Sequence, residues 1–586
     1  MGKMTGGQYI ARFLEAQGVE YVFGMAGHTN LAVLDGLSDT KVQYVSVRHE
    51  QVATHAADAY FRVTHKPGVA LLHMGPGMTN GVTGVATGAL DSSAMVIIAG
   101  DVPSYMFGKD PHQEIKYHAD GSQWEIYRPF VKKAWRLHDP NMLEDILSRA
   151  FNLAVSGRPG PVFIDVPMDY LSRPVDLPIP DASLRRPRGR ILGDPAEIDK
   201  ALDLLLAAKQ PCIYAGGGVI LSDAHTQLRQ FVKSTGIPLA TTMMGKGVFP
   251  EDDNLCFGIT GVFGSPIANR LTKEADVILA VGTRFPEMDS SSWIPGQTFN
   301  IPPTKLIHID IDNAEIGKIY PAVVGIQGDA GAVLQQFVDA LAERRKSRSG
   351  QPNDQSARVK DLRSAYKAWF AEKVGPYQQS NAIPIRPERI LYELRKALPR
   401  DGIILTDVGW NKNGAAQQFP IYEPRTQLAP GGLATMGFGP AAAVGAKAGA
   451  PDKPVVALVG DGAFGSTCPA VATAVEYGLG VTWVVMNNYS FGVIYGMQKN
   501  GFGRAYGTEF VQKATGKPYN PDYAKMAESY GAHGYRVEDP KQLGPILTEC
   551  IKRNEPAVLD VIMDKTVGVP RDGIWDVNTI YKRYIK

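Results

Sequence analysis

One carboxylate and a pair of amides stand where they could hold a metal. Gly460-Asp461-Gly462 closes an apolar run, Val455 to Val459, and Asn487-Asn488 closes another, Val481 to Met486, with 24 residues between Gly462 and Asn487. The intervening Ala463 to Gly478 reads as a helix, so the segment is a strand, helix, strand unit. Such a unit is a right-handed parallel crossover, which brings Asp461 and Asn488 to the carboxyl edge of one sheet. A carboxylate and an amide oxygen suit a hard octahedral cation such as Mg²⁺, with the remaining sites left for phosphate oxygens and water. Gly460 and Gly462 let backbone N–H groups approach that phosphate, and the helix N-terminus favours its charge. The pattern predicts a diphosphate held through a metal.

The elements that would position this site are short β-rich runs alternating with helical patterns, in three successive blocks. Val69 to Leu72 and Met95 to Ala99 read as strands of the first block. Cys212 to Ala215, Val277 to Val281 and Leu306 to Asp310 belong to the second, and Ile403 to Leu405 to the third. Two breaks separate them: Ser172 to Arg190, rich in proline and arginine, and Glu343 to Val359, polar and nearly free of large apolar residues. The expectation is an α/β chain of three consecutive doubly wound parallel-sheet domains at 1–172, 190–342 and 381–575, with a linker over 343–380. A length of 586 residues accommodates this. The net charge of +2 and the lack of a basic stripe argue against nucleic acid. Arg344-Arg345-Lys346-Ser347-Arg348 reads as solvated linker. Four scattered cysteines match no metal spacing and point to free thiols in a reducing compartment. With no apolar run of membrane-span length and no signal peptide, the expected location is the cytoplasm, without a membrane partner.

The GDG, its spacing and the double Asn together resemble the thiamine diphosphate (ThDP) motif of decarboxylases, carboligases and pyruvate oxidases. Further strings extend the resemblance: Gly75-Pro76-Gly77-Met78-Thr79-Asn80, Gly157-Arg158-Pro159-Gly160-Pro161-Val162 and Gly431-Gly432-Leu433-Ala434-Thr435-Met436-Gly437. They are most similar to the acetohydroxyacid (acetolactate) synthase, pyruvate oxidase and glyoxylate carboligase group. The resemblance implies a pyrimidine-binding, a central and a diphosphate-binding domain, with ThDP and Mg²⁺ as cofactors. It implies the side chains of Asp461 and Asn488 and the carbonyl of Ser490 as metal ligands. Gly460, Gly462, Ala463, Gly492 and Val493 fall beside the cofactor, as do Gly409-Trp410-Asn411 and Gly432. Met436 matches the apolar residue that props the cofactor into its bent form. Glu50, opening an alanine-rich helix that runs to about Thr64, takes the place of the carboxylate that hydrogen-bonds the pyrimidine, and Asn80 falls among the cofactor-binding positions. Such a carboxylate works best buried and protonated, or sharing its proton. Glyoxylate carboligases lack it, which argues against that activity here. In the family this glutamate meets the diphosphate domain of another subunit, so a homodimer or homotetramer is implied.

On the substrate side the chain departs from the synthases. Phe23-Gly24-Met25-Ala26-Gly27-His28-Thr29-Asn30 places His28 where family members keep a specificity residue, and its Gly-His-Thr is similar to cyclohexane-1,2-dione hydrolase. His73, before the Gly-Pro-Gly turn, shares that similarity. As neutral imidazoles the two could pass protons or hold a hydroxyl, and each could equally be a structural loop residue. His112-Gln113-Glu114 lies where synthases carry Phe-Gln-Glu, with Gln113 toward the reacting carbon. The longer distance to Arg128-Pro129 leaves His112, Gln113, His118 and Gln123 open for that role. Met497 replaces a synthase tryptophan, and Ala470 replaces a glutamate.

In the central block, Gly216-Gly217-Gly218 and Gly282-Thr283-Arg284-Phe285 follow strand ends and could face a nucleotide phosphate. Only Arg284 survives of the flavin-contacting residues of the synthases, so FAD, ADP and an empty domain all stay open. The resulting expectation is a ThDP- and Mg²⁺-dependent lyase or carboligase acting on 2-keto acids or related ketones through a C2 ylide and an enamine. The alternatives are a pyruvate-oxidase-like flavoenzyme, a cyclic-diketone hydrolase and a decarboxylase or lyase like benzoylformate decarboxylase and benzaldehyde lyase. A non-catalytic ThDP-binding subunit fits poorly with an intact Glu50, Asp461 and Asn488.

Overall fold

The structure is a computed structural model and describes residues 4–116, 122–184, 189–346 and 353–584. His118 and the Ser347-Arg348 end of the basic cluster lie outside the described residues. Three six-stranded parallel sheets follow one another along the chain, each flanked by helices. The first runs Gln43–Ser46, Tyr21–Gly24, Gly68–Leu72, Met95–Asp101, Val162–Pro167, Lys133–Arg136 across its width. Numbered along the chain, this order is 2-1-3-4-6-5. The third sheet has the same order in Gln427–Leu428, Ile403–Thr406, Val455–Gly460, Val481–Asn487, Ala557–Ile562 and His533–Val537. The central sheet is wound 3-2-1-4-5-6, as Cys256–Ile259, Leu239–Thr241, Pro211–Ala215, Val277–Val281, Lys305–Asp310 and Ala322–Gln327. The inner strands are nearly continuous apolar runs because both of their faces are covered by helices.

In such sheets the winding reverses at one point, and the carboxyl ends of the two strands there leave a crevice for ligands. The first sheet reverses between Tyr21–Gly24 and Gly68–Leu72, whose following loops carry His28 and His73. The third reverses between Ile403–Thr406 and Val455–Gly460, whose following turns carry Gly409 and Asp461. Topology thus brings together residues far apart in sequence.

The first and third domains also pack on each other through equivalent helices. Glu50–Thr64 and Phe438–Gly449 each follow the second strand of their sheet, and they cross in close contact. Ala53, Ala56, Ala57 and Tyr60 share one buried cluster with Ala441, Val444 and Ala448. Small residues permit this approach: a Cβ on Gly445 would lie 1.8 Å from the Ala56 carbonyl oxygen. Full burial of a side chain such as Val444 contributes roughly 1.5–3 kcal/mol. Arg62 adds a buried clamp, donating to Asp58 (2.7 Å), Asp91 (2.9 Å) and the Ala429 carbonyl (2.7 Å).

Two stretches differ from the sequence reading. Ala463 to Gly478 is two helices, Asp461–Thr467 and Ala470–Glu476, parted at Cys468-Pro469. Pro469 has no N–H to continue the ladder and its ring crowds the preceding turn. The stretch expected as a polar linker holds helix Ser356–Lys373, whose Leu362 is buried with Cys212, Phe257 and Leu271 of the central domain. Arg344 closes helix Ala330–Lys346 and bonds Asp199 and Asp203, so that part of the basic cluster is held rather than loosely solvated. All four cysteines are free. Among the described residues no helix is long and apolar enough to cross a membrane.

Candidate active site

At the carboxyl edge of the third sheet, strand Val455–Gly460 hands over directly to helix Asp461–Thr467. Gly460 and Met486 are register partners, so Asp461 and the Asn pair leave the sheet side by side. Asp461 is 2% exposed, accepting the Gly462 N–H at 2.9 Å and the Asn520 side-chain N–H at 2.8 Å. Burial pushes its carboxyl up to about 6, against the pull of Asn520 and the backbone N–H groups of Gly462, Tyr489 and Ser490. No lysine or arginine pairs with it among the described residues. A buried carboxylate without a cation is costly and calls for one. Asn488 Oδ1 lies 3.1 Å from both Ser490 N and Ser490 Oγ, across a turn in which Tyr489 takes the left-handed conformation (φ 56°). That conformation costs a non-glycine residue roughly 1–2 kcal/mol, and such strain gathers at functional turns.

The glycines of these turns lie close against the neighbouring residues. A Cβ on Gly462 would meet the Phe491 ring at 2.7 Å and Met436 Cε at 3.3 Å. One on Gly460 would lie 3.6 Å from Asn411 Nδ2, one on Gly409 would lie 3.6 Å from Val493 Cγ2, and one on Gly492 would strike Asn488 Nδ2 at 2.6 Å. Asp461, Asn488, Ser490, Gly409, Asn411, Met436, Gly460, Gly462, Gly492 and Val493 therefore converge, with the buried Ala463 behind them. Two expected members are placed otherwise. The Trp410 indole turns into the core, its N–H donated to the Gly568 carbonyl at 3.1 Å, and only its backbone belongs to the turn. Gly432 sits against the first domain, its N–H on Asp91 at 2.7 Å.

Sequence reasoning missed two residues here. Asn520 bridges Asp461 and Asn487, 2.8 Å from each, and its only signal was a polar loop 33 residues past Asn487. Asp407 is fully buried, and burial pushes it up to about 6. It accepts the N–H groups of Val408, Gly437 and Gly439, which fastens the Gly409 turn to the segment carrying Met436. An aspartate directly after the buried strand Ile403–Thr406 was the available sign.

In the first domain, Glu50 opens its helix after the N-cap His49 and is 1% exposed. Its Oε2 accepts from Asn80 Nδ2 at 3.0 Å, and its Oε1 would lie 3.1 Å from a Cβ on Gly77. His28 and His73 face each other with ring centroids 4.7 Å apart. His28 is exposed in the single chain, and burial, then the charges of His73 and His112, hold its imidazole below the usual value, so it is neutral near pH 7. His73 is buried, with Nδ1 2.8 Å from Thr29 Oγ1 and Nε2 3.0 Å from Gln113 Oε1. Gln123 is 1% exposed and spans Asp101, Gly75 and Ile115, a structural bridge away from His28 and His73. Of the open alternatives among the described residues, only Gln113 bonds a histidine of the crevice. Among the described residues, the hydrogen bonds of the Glu50 group stay within the first domain and those of the Asp461 group within the third.

Comparison with known proteins matches this geometry to a family. The profile of the thiamine pyrophosphate enzyme N-terminal TPP binding domain matches residues 4–122, that of the central domain 198–337, and that of the C-terminal TPP binding domain 407–561. A probable acetolactate synthase large subunit of Methanocaldococcus jannaschii is 36% identical over 580 residues, covering 97% of this chain and 93% of the relative. The acetolactate synthase large subunit of Corynebacterium glutamicum is 37% identical over 97% of this chain and 88% of the relative. The isozyme 3 large subunit of Escherichia coli is 34% identical over 96% of each. The chain belongs to the thiamine diphosphate enzymes, in the acetolactate synthase group.

In this ThDP enzyme the central crevice offers a nucleotide less than its glycines suggest. The Gly216 and Gly218 N–H groups are spent on the Val281 and Gly282 carbonyls, each at 2.9 Å. A glycine is needed there because a Cβ on Gly216 would lie 2.2 Å from the Gly282 oxygen, which is a packing reason. Arg284 donates to the Leu90 carbonyl, and burial and then the nearby Arg158 lower its pKa.

Proposed function

We propose that the chain is a Mg²⁺-dependent carboligase or lyase of the acetolactate synthase type, acting on a 2-keto acid or related ketone. The observation that carries this reading is Asp461, a buried carboxylate without a cationic partner, beside Asn488 and the Ser490 turn at the reversal point of the third sheet. Asp461, Asn488 and the Ser490 carbonyl would hold Mg²⁺ through hard oxygen donors, and the metal's charge would retain the cofactor diphosphate. Gly409, Asn411, Gly460, Gly462, Gly492 and Val493 would border the cofactor, and Met436 would prop it. When bound, ThDP supplies the electron sink that breaking a carbon–carbon bond next to a carbonyl requires. Glu50, kept from water and oriented by Asn80, would hold a proton where the pyrimidine ring of the cofactor could share it. Gln113, His28 and His73 line the place of the reacting carbonyl.

No hydrogen bond joins the Glu50 and Asp461 groups within one chain among the described residues, and a second copy would supply the missing half. Met436, Leu433, Phe491 and Ile494 are more than a third exposed in the single chain, an apolar rim suited to that copy. Relatives named as acetolactate synthases support pyruvate as the donor. The paired histidines favour one second reading, cleavage of a cyclic 1,2-diketone. A flavin or ADP would rest on Arg284: denaturing the purified protein would release a yellow chromophore in the first case and a colourless, ultraviolet-absorbing adenine nucleotide in the second.

The deciding assay supplies ThDP and Mg²⁺ with pyruvate, benzoylformate or cyclohexane-1,2-dione. Acetolactate from pyruvate supports the first reading, and a ring-opened acid from the dione the second. ThDP-independent turnover, or none on any of the three, sinks both. Glu50→Gln keeps the shape without the acid, so kcat should fall by several orders of magnitude while ThDP still binds.

A further inference from the structure

We propose that Thr29 and His73 are positioning residues that fix Gln113 as a hydrogen-bond donor to the reacting carbonyl, an inference that rests on Gln113 facing the substrate. The direction of the chain of hydrogen bonds follows from counting donors and acceptors. Thr29 is 1% exposed, and its Oγ1 accepts the Met74 N–H at 3.3 Å. Among the described residues, His73 Nδ1, at 2.8 Å, is the one acceptor within reach of the Thr29 hydroxyl proton. If His73 carried its proton on Nδ1, that buried hydroxyl would have no acceptor, which folded proteins rarely tolerate. Thr29 therefore donates to Nδ1, and neutral His73 holds its proton on Nε2. Nε2–H in turn donates to Gln113 Oε1 at 3.0 Å. The amide oxygen is occupied, and the NH₂ group of the exposed Gln113, without a partner among the described residues, is left as a pure donor.

The backbone of Gln113 is fixed separately. It takes the left-handed conformation (φ 68°), and a Cβ on Gly75 would lie 1.9 Å from its carbonyl oxygen. Gln123 then pins both sides of the contact, accepting the N–H groups of Gly75 at 3.0 Å and Ile115 at 3.2 Å. Gln123 donates to Asp101, which Arg136 holds at 2.6 Å. An amide with a fixed backbone and a committed oxygen presents its N–H groups in one direction. Such a preorganised donor stabilises negative charge developing on a carbonyl oxygen without reorganising. His73 then acts through Gln113, which leaves His28 as the histidine free to move a proton.

The test uses the tautomer and two substitutions that separate hydroxyl from volume. Nitrogen-15 NMR of the ¹⁵N-histidine-labelled enzyme, with the His73 signal assigned by its loss in His73→Gln, should show Nε2 protonated and Nδ1 bare. Thr29→Ser keeps the hydroxyl and loses a methyl, and should hold kcat within about threefold of wild type. Thr29→Val keeps the volume and loses the hydroxyl, and should lower kcat by roughly 10- to 100-fold with ThDP affinity unchanged. Its His73 signal should move toward the Nδ1-protonated form. A His73 protonated on Nδ1 in the wild-type enzyme overturns the proposal, as does Thr29→Val outperforming Thr29→Ser. The tautomer is read without turnover, so the inference can fail while the assay of the reaction succeeds, and a failure of that assay is seen separately.

Discussion

Asp461 and His28 are the residues at which the proposed chemistry is most exposed to disproof. Asp461 offers the buried negative charge of the metal site, so Asp461→Ala should leave the fold intact and weaken ThDP retention in Mg²⁺ by at least about 100-fold, the scale of losing a buried charged partner. Calorimetry finding unchanged ThDP affinity would sink the metal assignment. His28 is neutral near pH 7 and has no protein hydrogen bond among the described residues, which leaves its nitrogens free for substrate. His28→Ala should lower turnover by roughly 10²- to 10⁴-fold, the usual worth of a general acid–base group. ThDP affinity should stay constant, because the expected anchors lie in the third domain. A folded variant with more than about half of wild-type turnover would make His28 a mere loop residue.

The helix pair Glu50–Thr64 and Phe438–Gly449 carries a different burden. One end of the first is Glu50, and the second begins just after Met436, so their contact sets where each of these residues stands in its own chain. Gly445 is the closest point of that contact, and any Cβ there must push the Ala56 backbone away. Gly445→Ala should destabilise the protein by about 1–3 kcal/mol, the usual cost of overpacking, although alanine is the better helix former. Thermal unfolding should show a drop of several degrees, and activity should fall with it because the helix ends shift. A variant at least as stable as wild type would show that the two helices do not pack this tightly.

For the whole molecule, the three domains meet around a buried group of charges that no one domain contains. Lys412 donates to the Pro430 carbonyl and faces Asp91, Asp407 and Asp289 from three domains. Burial pushes Asp289 up to about 7, opposed by the Met243 N–H and Lys412. A folded-state value raised above the unfolded one gives stability that is complete below about pH 4 and is lost as pH rises through 7. The wild-type protein should therefore lose stability from pH 5.5 to 8, and Asp289→Asn should flatten that slope, by on the order of 2 kcal/mol. Equal slopes for the two proteins would show that Asp289 does not titrate in this range. Assembly is tested at the same scale: sedimentation at micromolar concentration should give a dimer or larger, and an active monomer would end the shared-site reading.

Strand ends and the turns after them could be read from the chain because they are written in contiguous residues. Val277–Val281 coincides with its strand, and the GDG to double-Asn spacing placed Asp461 and Asn488 at one sheet edge. The apolar runs also showed three doubly wound domains, since a strand buried on both faces needs little context to be recognised. Other features depended on partners far along the chain. Pro469 broke an expected helix, and Leu362 drew part of an expected linker onto the central domain. Gln113 and Gln123, ten residues apart in the chain, were separated only by what each touches: His73 for one, Asp101 for the other. The indole of Trp410, the bridge made by Asn520 and the direction in which Thr29 donates were likewise decided by tertiary contacts. Hydrogen-bond direction and side-chain orientation depend on which polar groups are left unpaired once the backbone is packed, and a linear pattern carries no record of that.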